Sequence, residues 1–219
     1  MTRQALGAIV TLAAAILLCA GSVSHADDLN RPPWWDFSRI DNTYQVWEFF
    51  SDSRTPMPDG GSNAYGFLPA TVAPNPSIDS PWISTFDSAS GVWDLTGAGN
   101  LFVPVNDDPT ARPLKRLWVQ MTWRPYLSGN LPVLTATTSA GYTVGAATER
   151  MDDRLTLPNG WTHSTFELFI TPSPASETLR IGGNIYLDEL VVDTYSTVPE
   201  PASAALLLWG LIGLRRRKR

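Results

Sequence analysis

Four adjacent carboxylate pairs, Asp27-Asp28, Asp107-Asp108, Asp152-Asp153 and Asp188-Glu189, are the most conspicuous reagents in this chain. Two carboxyl groups on either side of a bond supply the acid and the base for its hydrolysis. Neighbours on an extended strand point to opposite faces, so a working pair must come from separate strands, and adjacency names no such pair. The aromatic residues are the sharper signal. Trp118 stands with Arg116 and Gln120 at alternate positions, which puts an indole, a guanidinium and an amide on one strand face. An indole stacks on the apolar face of a ligand ring while its polar neighbours bond the ring's edges. Trp34, Trp35 and Trp161, near predicted loops, extend this candidate ligand-binding set.

Other chemistries lack raw material. The chain has 1 cysteine and 2 histidines, and Cys19 and His25 both fall in the N-terminal leader described below. The remaining body has no thiol, no disulfide and no histidine-based zinc set. His163 reads as a strand-edge surface residue. No Gly-x-Ser-x-Gly elbow, phosphate-cradling glycine loop or His-x-x-x-His spacing occurs. The reading is therefore of a protein that is not an enzyme and has no cofactor, with a carboxylate-based glycan-active enzyme, its acid pair drawn from separate strands, as the last alternative. The whole chain carries 16 basic and 21 acidic residues. Setting aside Arg3 and the terminal cations Arg215, Arg216, Arg217, Lys218 and Arg219 leaves ten basic residues against the same 21 acids. So acidic a body is repelled by nucleic acid and by anionic membranes.

Residues 27–198 must position these groups, and they are of a length suited to one domain. Eight tryptophans (Trp34, Trp35, Trp47, Trp82, Trp93, Trp118, Trp123, Trp161), dispersed Pro and Gly and no long helical periodicity argue for an all-β domain. From Lys115 to Arg124 the residues Leu117, Val119, Met121 and Trp123 share one face, and Arg116, Trp118, Gln120 and Thr122 the other. Phe166, Leu168 and Ile170 alternate in the same way, and Leu179-Arg180-Ile181 opens another strand. Further expected strands are Thr43 to Phe50, Trp82 to Phe86, Asn100 to Val105, Leu131 to Thr138 and Tyr142 to Glu149, with loops from Asp52 to Ala64 and Thr71 to Pro81. In Ile185 to Val192 strict alternation from Ile185 and Leu187 would bury Glu189. Leu190 and Val192 return to the inner face only if an extra residue sits at Asp188-Glu189, which predicts a β-bulge that re-aims a carboxylate.

The two ends are of another kind. Arg3, the apolar run Leu6 to Ala20 and the small-residue site Ser24-His25-Ala26 read as a signal peptide, residues 1–26, cleaved after Ala26. A lipoprotein reading at Cys19 is disfavoured by the bulky Leu18 before it. At the far end Pro199, Glu200 and Pro201 precede the apolar run Ala202 to Leu214 and the five terminal cations. At about 1.5 Å per residue that run forms a helix of roughly 20 Å, shorter than the ~30 Å hydrocarbon core, which suits a transient insertion. The cations hold the tail on the cytoplasmic side.

Residues 199–219, with a Pro-Glu-Pro, a Leu/Gly-rich segment and an Arg cluster in order, resemble the PEP-CTERM sorting signal of exported Gram-negative envelope proteins. The resemblance implies recognition by an exosortase-type processing enzyme that cleaves near Pro199-Glu200-Pro201. It also implies export through the inner membrane, transient anchoring there, and a final place on the cell surface or in an exopolysaccharide-rich matrix. The stretch Trp34 to Pro69 also looks like the start of PEP-CTERM proteins whose middle domain has no known activity. Phe166 to Thr194, with Asp188 after an aromatic-apolar pair, is similar to the last strand of jelly-roll carbohydrate-binding modules. That second resemblance implies a jelly-roll β-sandwich, a glycan-binding alternative to a structural role, and Asp188 as a ligand of a structural calcium.

The tail predicts a processed product: mass spectrometry of the mature surface protein is expected to recover no peptide containing Trp209.

Overall fold

In the computed structural model, residues 28–35, 41–78, 81–110 and 112–196 are described. The leader 1–26 and the tail 199–219 lie outside them, as does Asp27. Among the described residues no helix is long and apolar enough to cross a membrane.

Residues with an apolar side chain at every second position build strands whose one face must be covered. Fourteen result: β1 (Asn42–Trp47), β2 (Gly60–Ser62), β3 (Thr71–Ala73), β4 (Trp82–Phe86), β5 (Ala89–Asp94), β6 (Asn100–Asn106), β7 (Lys115–Pro125), β8 (Val133–Thr138), β9 (Thr143–Val144), β10 (Thr148–Glu149), β11 (Leu155–Thr156), β12 (Thr162–Ile170), β13 (Ser176–Gly182) and β14 (Ile185–Ser196). Among the described residues the one helical element is a 3₁₀ turn, Met151–Asp153. They form an all-β sandwich, as expected. The larger sheet runs β10-β12-β7-β14-β1-β2, with β11 on β12 and the β4-β5 hairpin on β14. The smaller runs β3-β6-β13-β8-β9. Every strand pair is antiparallel.

The core lies between the sheets. Leu117, Val119, Met121 and Trp123 of β7, with Phe166, Leu168 and Ile170 of β12 and Leu190 and Val192 of β14, meet Leu101, Val103, Leu179 and Ile181 of the smaller sheet. Each such side chain, fully buried, contributes about 1.5–3 kcal/mol. Trp123 faces inward with its indole N–H donating to Ser164 Oγ at 3.0 Å. The β7–β14 register slips between Leu187 and Glu189, the bulge that the sequence predicts, and it lets Leu187, Leu190 and Val192 all reach the core.

Other expectations need adjustment. β1 ends at Trp47 rather than Phe50, because Phe49 takes φ 51° and turns the chain. Tyr142 to Glu149 is not one strand: β9 belongs to the smaller sheet and β10 to the larger, so this segment crosses the edge of the sandwich. The two expected loops contain the short strands β2 and β3. The strand β5, which alternation did not reveal, is paired through a two-residue turn in which Asp87 and Ser88 have φ of 46° and 67°, the type I′ signature of a tight hairpin.

Gly91 in β5 has φ +81°, and a Cβ built there would lie 2.3 Å from the Phe49 carbonyl oxygen. Gly91→Ala should destabilise the fold by at least about 1–3 kcal/mol, read as a lower urea midpoint.

Candidate functional site

Because β7, β12, β14 and β1 lie side by side, their outward residues form one surface. Arg116, Trp118, Gln120 and Thr122 share it with His163, Thr165 and Glu167 of β12 and with Glu189, Val191, Asp193 and Tyr195 of β14. Its two halves differ.

One half is covered by the chain's own residues 28–35. The Asn30 backbone N–H donates to Gln120 Oε1 at 2.8 Å, and its side-chain amide donates to Thr165 Oγ1 at 3.0 Å and to the Asp153 carbonyl at 2.9 Å. Gln120 Nε2 donates to Asp28 Oδ1 at 2.7 Å. Trp118 donates its indole N–H to the Asn30 carbonyl at 2.7 Å. Trp34 lays its ring on Tyr195, centroids 5.5 Å apart, and meets Trp118 edge-on; Trp35 packs against Trp34 and Tyr44. Arg116 binds Glu167 and has its guanidinium 5.3 Å from the centre of the Trp34 ring.

The structure thus brings Trp118, Arg116, Gln120, Trp34 and Trp35 together, as components of a closed strap rather than as an open platform. Trp118 is only 3% exposed. Trp161 is elsewhere, fully buried with its indole N–H donating to the Asp87 carbonyl and Phe86 packed edge-on. It packs as core because Ile83 and Phe86 of β4, Ala89 and Val92 of β5, and Leu157 and Tyr186 cluster with it.

His163 is also not the surface residue that the sequence suggests. It is buried, with Nδ1 3.1 Å from Thr122 Oγ1 and Nε2 3.4 Å from Gln120 Oε1. Thr122 Oγ1 in turn donates to Glu189 Oε2 at 3.2 Å. A chain of polar groups therefore runs from the strap, through Gln120, His163 and Thr122, to Glu189.

Glu189 opens onto the uncovered half, a cavity of about 280 Å³. Its walls come from five places: Asp188 and Glu189 at the β14 bulge, Thr122 of β7, Glu48 and Phe50 after β1, Ser88 and Ser90 at the β4-β5 turn, and Asn159 with Leu157 after β11. Glu48 is held through its backbone N–H, which donates to Asp59 Oδ2 at 2.7 Å, and the neighbouring Phe49 carbonyl accepts the Trp82 indole N–H at 3.0 Å. Phe50, which also lines the cavity, is 61% exposed. The lining combines three carboxyl-bearing residues, hydroxyls, an amide and one aromatic residue, a set suited to a polyhydroxylated ligand. The carboxylate of Glu48, just after β1, and those of Asp188-Glu189 in β14 do come from separate segments.

The other adjacent pairs are structural. Asp107 meets Lys115, Asp108 meets Arg112 at 2.6 Å, and Asp153 meets Arg150 at 2.7 Å. Among the described residues no group of three or more His, Cys, Asp or Glu side chains converges to hold a metal. A second depression, of about 900 Å³, lies between the Thr138–Val144 turn and Phe169–Pro174; its walls are apolar or hydroxylic, with no charged group.

Under the strap the Asp193 carboxyl is held well above the usual carboxylate range, first by burial and then by the Asp28 charge, against the hydrogen bond from Gln120 and the Arg31 charge. Asp193 Oδ2 has no hydrogen-bond partner. Burial, with Asp28 and Asp193 nearby, pushes the Tyr44 phenol up to about 12.

No protein-family model matches this chain, and no curated protein does. Solved structures with a similar fold include the CBM35 module from Cellvibrio japonicus Abf62, at 12% identity over 59% of this chain and 99% of that one, TM-score 0.30. Another is the C-terminal CBM6 of LamC, a marine laminarinase from Zobellia galactanivorans, at 10% identity over 56% and 98%, TM-score 0.31. A third is the carbohydrate-binding module CBM6cm-2 from Cellvibrio mixtus lichenase 5A in complex with cellotriose, at 14% identity over 73% and 100%, TM-score 0.26.

The Asp193 shift has a sign. A carboxyl whose folded pKa is raised contributes most to stability below its unfolded pKa, and that contribution is lost as pH rises through the folded value. Asp193→Asn is therefore expected to raise Tm at neutral pH by on the order of a few degrees. The advantage should shrink as the solution is acidified, in melts followed across pH.

Proposed function

We propose that this is an exported envelope or extracellular-matrix protein, delivered through its C-terminal sorting signal, whose β-sandwich holds glycan chains of a surrounding exopolysaccharide. It acts as a binding and structural component and catalyses no reaction. The observation that carries the reading is the cavity beside the β14 bulge, where Glu48, Asp188, Glu189, Ser88, Ser90 and Asn159 line a common volume with Phe50.

Sugar hydroxyls both donate and accept hydrogen bonds. Carboxylates accept, serine hydroxyls do either, and the asparagine amide does both, so this lining pairs with hydroxyls in several orientations. A cavity of about 280 Å³ takes one or two sugar rings of a longer chain. Phe50 offers the flat apolar surface against which a ring's C–H face stacks. The acidic lining selects neutral or amino sugars over uronic acids, since an anionic ring would meet like charge. The larger depression at Tyr142 and Phe169 has aromatic area without charged orienting groups.

Titration calorimetry of the purified full chain against neutral and uronate-bearing oligosaccharides tests this. Binding of neutral chains is expected, weakened about tenfold in Phe50→Ala and abolished in Glu189→Ala with Asp188→Ala. Tyr142→Ala should leave it unchanged. A folded wild-type chain that binds no neutral or amino glycan would overturn the reading.

A further inference from the structure

At the end of the sandwich away from the bulge, the inward alternation that buries the core also buries charge. Lys115 opens β7 in the same phase as Leu117, and Glu177 of β13 is in phase with Leu179. Ser196 closes β14 in phase with Thr194, and Asp107 follows β6 in phase with Val105. The side chains of Lys115, Asp107 and Glu177 are each 0% exposed. Lys115 Nζ lies 3.0 Å from Asp107 Oδ2 and 2.7 Å from Glu177 Oε2.

The two carboxylates are not equivalent. Asp107 is held at both oxygens: the Asp108 backbone N–H donates to Oδ1 at 2.7 Å, and the Ser196 hydroxyl donates to Oδ2 at 2.5 Å. The Asp108 backbone is itself fixed, because its side chain takes Arg112 at 2.6 Å and the Thr110 N–H at 2.8 Å. Glu177 Oε1, in contrast, is buried with no partner. Burial pushes the Glu177 carboxyl up to about 7, against the opposing influence of Lys115. One acid is thus polarised at its carbonyl, and the other is free to accept and return a proton.

We infer that Lys115 and Asp107 form an intramolecular amide bond between Nζ and Cγ, with Glu177 carrying the protons. In the starting state the triad holds an ammonium and two carboxylates. Glu177 takes a proton from Nζ and passes it to Asp107 Oδ2, leaving an amine beside a carboxylic acid. The amine lone pair attacks Cγ, and the negative charge that develops on Oδ1 is met by the Asp108 N–H. Glu177 then removes the surplus proton from nitrogen and delivers it to the Oδ2 hydroxyl, which leaves as water when the C–N bond closes. The products are a neutral amide, one water molecule and a Glu177 carboxylate, with the same net charge as the reactants and no oxidant or co-reactant.

Two physical arguments favour the step. Groups held at contact distance by a rigid scaffold react with effective molarities of roughly 10⁵–10⁸ M. The reaction also removes two of three charges from a site that excludes water, where ions are costly even when paired, and the lack of water opposes the reverse hydrolysis. The bond would join β7 of the larger sheet to the segment after β6 of the smaller one, a covalent tie between the layers of a protein whose body carries no disulfide.

Tryptic mapping of the purified full chain decides the matter. Arg112 precedes Pro113, which trypsin does not cut, so Asp107 and Lys115 fall in one peptide beginning at Thr55. With the bond formed, cleavage after Lys115 is lost and the peptide ends at Arg116. Its mass is lower by one water, and no fragment ions arise between residues 107 and 115. Glu177→Gln and, separately, Asp107→Ala should restore both the cleavage and the full mass. A succinimide at Asp59-Gly60 would lower the mass equally but leave cleavage after Lys115 intact. Recovery from the folded wild-type chain of a peptide that ends at Lys115 with unmodified mass would overturn the inference, whether or not the variants fold.

Discussion

The period-two alternation of β7, Lys115–Pro125, is the constraint from which most of this molecule follows. The strand is paired along its length on both sides, by β12 and β14, so its register fixes theirs. Its inner phase, from Leu117 to Trp123, forms the centre of the core. Its outer phase, from Arg116 to Thr122, is the floor on which the strap lies and from which the polar chain runs to the cavity. A slip of one residue would exchange these faces and place four apolar side chains under the strap.

Such a strand is legible in sequence, and so were its neighbours. Alternation identified the faces of β7 and β12 because half-buried strands carry the pattern in their composition, and the misplaced Glu189 located the bulge because a carboxylate has no place in an apolar layer. The failures have physical reasons too. β5 reads Ala-Ser-Gly-Val-Trp-Asp, where glycine and serine blur the period and the conformation of the turn, not the residues, sets the pairing. Tyr142 to Glu149 looked continuous because sequence records alternation but not which sheet receives it. The Lys115-Asp107-Glu177 triad was readable in principle from phase alone. Recognising it required treating a lysine as an inward residue, which burial statistics discourage.

The site shows the complementary limit. Sequence placed Trp118, Arg116 and Gln120 on one outward face, and they are on one outward face. What local pattern cannot convey is that a segment almost 90 residues earlier returns to lie on it. Outward from the sheet is not the same as outward to solvent. The same error underlies the reading of His163, whose strand position was right and whose burial comes from Gln120 and Thr122 beside it. Trp161 fails differently: near a loop in sequence, it plugs the space under the β4-β5 hairpin.

The two halves of the outer face also differ in how they treat charge. At the bulge the carboxylates of Asp188 and Glu189 stand half-buried at a wall of the cavity, and Glu189 accepts from Thr122. Under the strap Asp193 is buried with its Oδ2 lacking a hydrogen-bond partner. A buried, incompletely bonded carboxyl is an electrostatic cost that ionisation increases. The strap therefore closes against this cost, held by the amide and indole bonds of Asn30, Gln120 and Trp118 and by the stacking of Trp34 on Tyr195. Rehydrating Asp193 is the gain that opening would bring, and the aromatic and amide contacts are what it would lose. Because these contacts also anchor Gln120, which bonds His163 and through it reaches Thr122 and Glu189, the shape of the open half depends on the closed half remaining in place.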